Sequence, residues 1–305
     1  MNDVYHKGEK EIQARVGEEI QANSNGRVIL PNIVRGAFNF ISNQPLMIIS
    51  TADPKGAVWT SVLVGDPGFV TVKDETTILI TRKLLRSVQD DVCFNNIEDK
   101  SYVGTLFIEP ATRRRYRANG RVTRFDDTIE ISIQEAYPNC PKYIQKRKVT
   151  FSDILQNRES DREEGTVLSA TEATWIKSAD TFFVGSIGPD GKMDASHRGG
   201  PKGFVEIIDD HTLKIPDYTG NSLYNTLGNF AENPSGGVTF IDFDEGQSLQ
   251  LSGKAQLVFD QTSEEDIQKT TGTGRFWLFT IEKWIITKNH HSAKWQFEEF
   301  SPFNP

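Results

Sequence analysis

The chain has 305 residues, 25% charged and 37% hydrophobic, a globular composition with room for about two domains of ordinary size. Its net charge of −8 excludes non-specific binding to nucleic acid or to an anionic membrane, which needs a basic surface. No apolar run reaches the roughly 18 residues of a membrane span, and Cys93 and Cys140, the only cysteines, exclude a secreted disulfide framework.

The opening residues are polar and lack the apolar core of a secretion signal, so a reduced, cytoplasmic setting is expected. Ile12, Val16 and Ile20 recur four apart, which predicts one amphipathic helix over residues 8–22, packed on the body. Beyond this helical extension, residues 1–34, the chain repeats itself. Residues 45–80 and 180–215 align without a gap at an offset of 135. They share ten identities in 36 positions, where average usage predicts roughly two. Pro54, Gly56, Ser61, Gly65 and Gly68-Phe69-Val70 recur as Pro189, Gly191, Ser196, Gly200 and Gly203-Phe204-Val205. The register resumes at an offset of 133, pairing Gly104, Phe107 and Gly120 with Gly237, Phe240 and Gly253. So long a period means two copies of one domain, not a solenoid. The first copy spans residues 35–154 and the second 167–305, with the charged stretch 155–166 as linker.

Each copy reads as a β-meander. An apolar strand (46–49, 181–184) enters a Pro-x-Gly turn, which supplies a fixed φ and then a residue free to take φ > 0. Three more strands follow. The period then turns helical, through Leu84, Leu85, Val88 and Val92 in copy one and Leu223, Leu227 and Phe230 in copy two. Strands return at 103–108, 115–123 and 129–133, and at 238–241 and 249–257. The aromatic segments 276–279 and 284–286 read as a closing strand or pair, buried in an interface. The fold class is mainly β with some α: two tandem small barrels, each with a helix over one opening.

Function is expected where the copies differ. Ser196-His197-Arg198-Gly199-Gly200 replaces the apolar Ser61-Val62-Leu63-Val64-Gly65. Arg198 adds a permanent cation with a donor fork suited to phosphate, and the glycines let backbone amides approach a ligand. The plainer alternative is an edge strand whose Arg198 pairs with a carboxylate. Asn221, Asn225 and Asn229 lie four apart at the expected helix start, where Asn221 and Ser222 would cap it and seat a phosphate. Copy one carries Arg82, Lys83 and Arg86 there, read as solvated helix-start cations, with a second phosphate seat as the alternative. In Asn139-Cys140-Pro141-Lys142-Tyr143-Ile144-Gln145, the residues Lys142, Tyr143 and Gln145 are candidate ligand walls, since Tyr can stack on a ring and Lys can neutralise charge. The alternative is a short helix packing the barrels together. Cys140 lacks a second cysteine or a base, so thiol chemistry is not expected. His290-His291 lacks metal-ligand spacing, and no metal is expected.

Together, the Gly-Phe-Val strand, the passage Ile215-Pro216-Asp217-Tyr218-Thr219-Gly220-Asn221, the Ser-His-Arg-Gly-Gly-Pro element and the 139–145 segment resemble the FMN-binding split barrels of the pyridoxamine 5′-phosphate oxidase family. They are most similar to its tandem-barrel flavin-nucleotide-binding members, over residues 35–300. The resemblance implies two split barrels forming an intramolecular pseudo-dimer, with homodimerisation of the chain left open. It also implies FMN at the barrel interface, hydride or electron transfer, and a small-molecule substrate or electron donor that the residues do not identify. The site it implies comprises Ser196, His197, Arg198, Gly199, Gly200, Pro216, Asp217, Asn221, Ser222, Asn225 and Asn229, faced by Lys142, Tyr143 and Gln145. It does not carry over the vitamin B6 reaction, because that enzyme's substrate-binding arginine and histidine set has no match. The alternative function is a non-catalytic flavin or tetrapyrrole binder, a carrier or sensor.

Overall fold

The computed structural model describes residues 4–151 and 161–305. The chain opens with α1 (Lys7–Val16), whose first turn is closed by a capping box between His6 and Glu9. Gly17, at φ 72°, ends the helix in the left-handed region, and α2 (Glu19–Asn25) starts on a new axis. The single helix expected over 8–22 is therefore two. Ile12 is buried, but Ile20, turned away by the break, is 89% exposed. After α3 (Phe38–Ser42) come β1 (Leu46–Ala52), β2 (Val58–Val64), β3 (Val70–Asp74) and β4 (Thr77–Thr81). The first copy continues through α4 (Val92–Asn96), β5 (Tyr102–Glu109), β6 (Arg114–Phe125), β7 (Thr128–Pro138) and β8 (Lys146–Phe151). The second contains β9 (Asp161–Gly165), α5 (Ala170–Ser178), β10 (Thr181–Ile187), β11 (Met193–Gly199), β12 (Glu206–Ile207) and β13 (Thr212–Pro216). It ends with α6 (Asn225–Glu232), β14 (Ser235–Asp242), β15 (Gln247–Val258), α7 (Glu264–Lys269), β16 (Phe276–Lys288) and β17 (Ala293–Glu299).

The two sheets have the same strand order. One runs β2-β1-β5-β6-β7-β4-β3 and the other β11-β10-β14-β15-β16-β13-β12. The offset of 135 reappears in the ladders: Leu46 faces Val64 as Thr181 faces Gly199. The offset of 133 reappears as Met47 facing Phe107 and Phe182 facing Phe240. Each sheet wraps its own core, centred on Ile49, Phe69 and Ile131 in one barrel and on Phe182, Phe240 and Trp277 in the other. A third apolar cluster, with Ile48, Val62, Leu106, Phe183 and Trp295, lies between them.

The barrels meet around a pseudo-two-fold axis. A Cβ on Gly104 would lie 2.5 Å from the Asp194 backbone, and one on the equivalent Gly237 would lie 2.9 Å from Trp59, the counterpart of Asp194. These paired close approaches explain both repeated glycines. β8 of the first copy pairs with β17 of the second, so each barrel lends a strand to a shared ribbon. Residues 139–145 are accordingly a loop leading into β8, not a short helix.

Two further expectations change. Residues 85–91 are not helical: Leu85 bridges Gly65, and Arg86 and Ser87 donate to the Val64 carbonyl, so the segment extends the edge of β2. The helix of copy one shrinks to α4, capped by Asp91. The aromatic segments 276–279 and 284–286 belong to the one strand β16, and both are largely buried. Of the stretch read as linker, residues 161–165 form β9 along β16, while 155–160 lie outside the described residues. Among the described residues, no helix is long and apolar enough to cross a membrane.

Candidate functional site

A cleft opens where the end of β11 meets the first barrel. Its second-barrel side carries Ser196, His197, Arg198 and Gly199, then Pro216, Asp217 and Tyr218 beyond β13, then Asn221, Ser222, Tyr224 and Asn225 at the approach to α6. Its first-barrel side is Arg115 and Arg117 of β6 with Asn139, Cys140, Lys142 and Tyr143 of the following loop. Eleven of the fourteen expected residues thus line one cleft.

Gly200, Asn229 and Gln145 do not line it, each for a local reason. A Cβ at Gly200 would lie 2.7 Å from the Phe204 ring, so its glycine serves packing. Asn229 is turned to Ser186 (2.9 Å) and to the His6 ring (2.9 Å). Gln145 is buried, and its carboxamide satisfies backbone groups of Gly200 and Ser301 at 3.2 and 2.7 Å. Asn221 also differs from expectation. It precedes α6 instead of sharing a helical face, and its side chain accepts from the Leu223 amide. Tyr143, at φ 65°, turns its carbonyl so close to Gly199 that a Cβ there would lie 2.0 Å away. Gly199 is therefore required at this contact between the barrels.

The electrostatics centre on three arginines. Arg117 is 3% exposed and pairs with Asp194 at 2.9 Å, while also donating to Ser196 (2.5 Å), Tyr137 (2.6 Å) and Asn225 (3.0 Å). Burial works against its charge, but the Asp194 carboxylate, Tyr137 and Glu135 together outweigh that and raise its pKa. Arg198 lies 3.6 Å from Asp217, yet Asp217 is already held by Arg275 at 3.0 Å, and the buried Arg198 Nε has no hydrogen-bond partner. The edge-strand alternative is thus only half realised. Arg115 donates to the Cys140 carbonyl (2.7 Å) and to His197 Nδ1 (3.2 Å). Burial lowers its pKa to about 10, and Arg117 and Arg198 push the same way. His197 is held well below its ordinary value by burial, then by Arg115, Arg198 and Arg147. Since arginine can only donate, Nδ1 of this neutral ring accepts and its proton sits on Nε2.

The approach to α6 completes this concentration of positive potential. Ser222 and Tyr224 hold φ of 62° and 60°, and the helix begins without a side-chain cap. Its first amides therefore face the cleft end with the positive end of the helix dipole. Such an arrangement can hold an anion. Tyr143 and Tyr218, with ring centroids 5.0 Å apart, add an aromatic wall.

Arg115 and Arg117 were not among the expected residues. The signal was present in the run Arg113-Arg114-Arg115-Tyr116-Arg117, where alternate residues share a strand face. At the 133 offset their counterparts are Ser248 and Gln250, the same kind of asymmetry that singled out Arg198. By contrast, Arg82, Lys83 and Arg86 build no second anion seat: Arg86 pairs with Asp66 at 2.6 Å, and Arg82 lies over Phe94 at 4.6 Å.

The family model for pyridoxamine 5′-phosphate oxidase matches the chain twice, at residues 37–148 and 168–288. No curated protein sequence matches it. Among solved structures, the chain is similar to a putative pyridoxamine 5′-phosphate oxidase from Lactobacillus delbrueckii, at 13% identity and a TM-score of 0.33 over 39% of this chain and 94% of that one. It is similar to a FAD-binding protein from Mesorhizobium loti at 13% identity and 0.30, over 43% and 100%. HupZ from Group A Streptococcus is similar at 12% and 0.34, over 41% and 98%. Each aligned structure spans less than half of this chain. With both barrels matched by the family model, the chain belongs to the pyridoxamine 5′-phosphate oxidase family.

Proposed function

We propose that the cleft binds FMN and that the protein is an FMN-dependent oxidoreductase working in the cytoplasm. The observation that carries this reading is the convergence of Arg115, whose charge burial works against, and Arg198, whose buried Nε has no hydrogen-bond partner, on an uncapped helix start. A phosphate monoester matches that donor set in charge and geometry. The cleft's free volume, about 90 Å³, has room for a phosphate and less than a tricyclic ring needs. The ring would accordingly lie across the mouth, where Tyr143 and Tyr218 offer π faces.

Bound there, FMN would supply hydride or electron transfer chemistry that no side chain provides. The chain's own residues do the holding. Arg198 is steadied by Asp217, and Asp217 by Arg275. His197 accepts from Arg115 through Nδ1 and stays uncharged, which leaves the cation free to face an anion. Lys142, at the first-barrel rim, can offset negative charge that develops on the ring. A purified sample tests the reading by its spectrum. Flavin absorption bleached by a nicotinamide donor supports it. A sharp haem-region band, or flavin that no donor reduces, would favour the carrier or sensor alternative.

A further inference from the structure

We infer that the N-terminal helices are part of the anion site: they clamp the 221–225 loop in its ligand-ready shape. This rests on the FMN reading of the cleft. The clamp lies outside both segments matched by the family model, which begin at residue 37.

The contacts alternate along the loop. Asn25 of α2 donates to the Asn221 carbonyl at 2.7 Å. Gln13 of α1 donates to the Leu223 carbonyl at 3.2 Å, in a buried setting. Glu9 accepts from the Asn225 side chain at 2.6 Å. Between these anchors sit Ser222 and Tyr224, the two residues in the left-handed region, and both line the cleft. L side chains adopt that region only at a cost, so such a loop persists where its surroundings over-determine it. Three anchors at alternate residues do so. Two fix the backbone and the third the Asn225 side chain, while the intervening residues line the cleft.

The helix pairing is equally specific. A Cβ on Gly8 would lie 2.3 Å from the Gly228 carbonyl, and one on Gly228 would lie 2.5 Å from Glu9. α1 and α6 touch through these two glycines, which brings Glu9 within reach of Asn225. Tyr5 and Ala22 close the arrangement by packing with Leu223 and Tyr137.

The test uses the full-length chain carrying Gln13→Ala and Asn25→Ala together, which removes two anchors and leaves Glu9 and the apolar packing. In the cofactor-free protein, amide exchange across residues 221–226 should quicken at least about tenfold, the effect of a local opening made easier, while the strands of the first barrel exchange as before. FMN affinity should fall about tenfold with riboflavin affinity unchanged, so the preference for the phosphorylated ligand narrows. Exchange unchanged overturns the clamp. So does faster exchange with an unaltered FMN-to-riboflavin ratio, since the helices would then be structural only. If the wild-type protein binds no FMN, the cofactor reading fails, and the exchange measurement alone decides the clamp.

Discussion

The interface between the barrels has two pseudo-equivalent faces, and they have opposite chemistry. On the open face, Arg117 of β6 crosses to Ser196 and Asp194 of β11. On the other, its counterpart Gln250 of β15 crosses to Ser61 and the Thr60 carbonyl of β2, both at 2.9 Å. Arg198 becomes Leu63, fully buried, and Arg115 becomes Ser248, also buried. The loop after β16 then fills the space. His290 carries its carbonyl to the Val88 amide (2.9 Å) and its ring to within 3.6 Å of Asp91, which also accepts from Ser61. His291 bridges Ser87. Both rings are buried, and burial lowers the His291 pKa to about 3. One fold, doubled, thus keeps an arginine-lined cleft on one face and a packed seam closed around Asp91 and His290 on the other. A single chain can specialise its faces in this way, whereas a symmetric dimer of one barrel must keep both alike.

The largest expected effect breaks the open face from within. Arg117→Ala strands Asp194 as a buried carboxylate and should cost about 3–5 kcal/mol in denaturant unfolding, whereas Gln250→Ala, a neutral donor lost, should cost about 1 kcal/mol. Equal costs would show that the faces are not electrostatically different. Next comes the pair at one repeat position. Leu63→Ala should lose about 2–5 kcal/mol of stability through a core cavity and leave FMN affinity intact. Arg198→Ala should do the reverse, weakening FMN by about 1.5–3 kcal/mol in a titration with little change in melting temperature.

The smallest effect is a pH slope that belongs to the open face. Burial raises Glu9 to about 8, with Glu135 and Asp194 adding to it. Because that folded-state value lies above the ordinary carboxylate range, the Glu9 contribution to stability is full below that range. It is lost as the pH rises from there through about 8. Melting temperatures should therefore fall with pH across this window, and Glu9→Gln should flatten the slope. An unchanged slope in the variant would assign it to another group.

The duplicated fold was legible because turn and contact glycines are constrained by backbone geometry, which leaves a mark in the sequence whatever surrounds it. Gly104 and Gly237, and the Pro-x-Gly turns, are such marks. Periodicity was a weaker guide. Leu84, Leu85, Val88 and Val92 fit a helix, but the vacant edge of β2 offered that segment better hydrogen bonds. Ile20 kept the helical spacing while Gly17 quietly ended the helix. The site was legible where a charge interrupted an apolar strand, as at Arg198. It was not legible where a residue works across the interface. Arg115 looks like one more surface arginine until β6 is laid against β11, and Gln145 and Asn229 look available until their partners, backbone groups for Gln145 and Ser186 and His6 for Asn229, are known.

The central claim is that one face alone is open and that it recognises phosphate. Equilibrium titration of the wild-type chain with FMN and with riboflavin, with stoichiometry counted, tests it most directly. The account predicts one FMN per chain, bound far more tightly than riboflavin, with a preference that shrinks on adding sulfate and in Arg198→Ala. Equal affinity for the two flavins, or two FMN per chain, would contradict it.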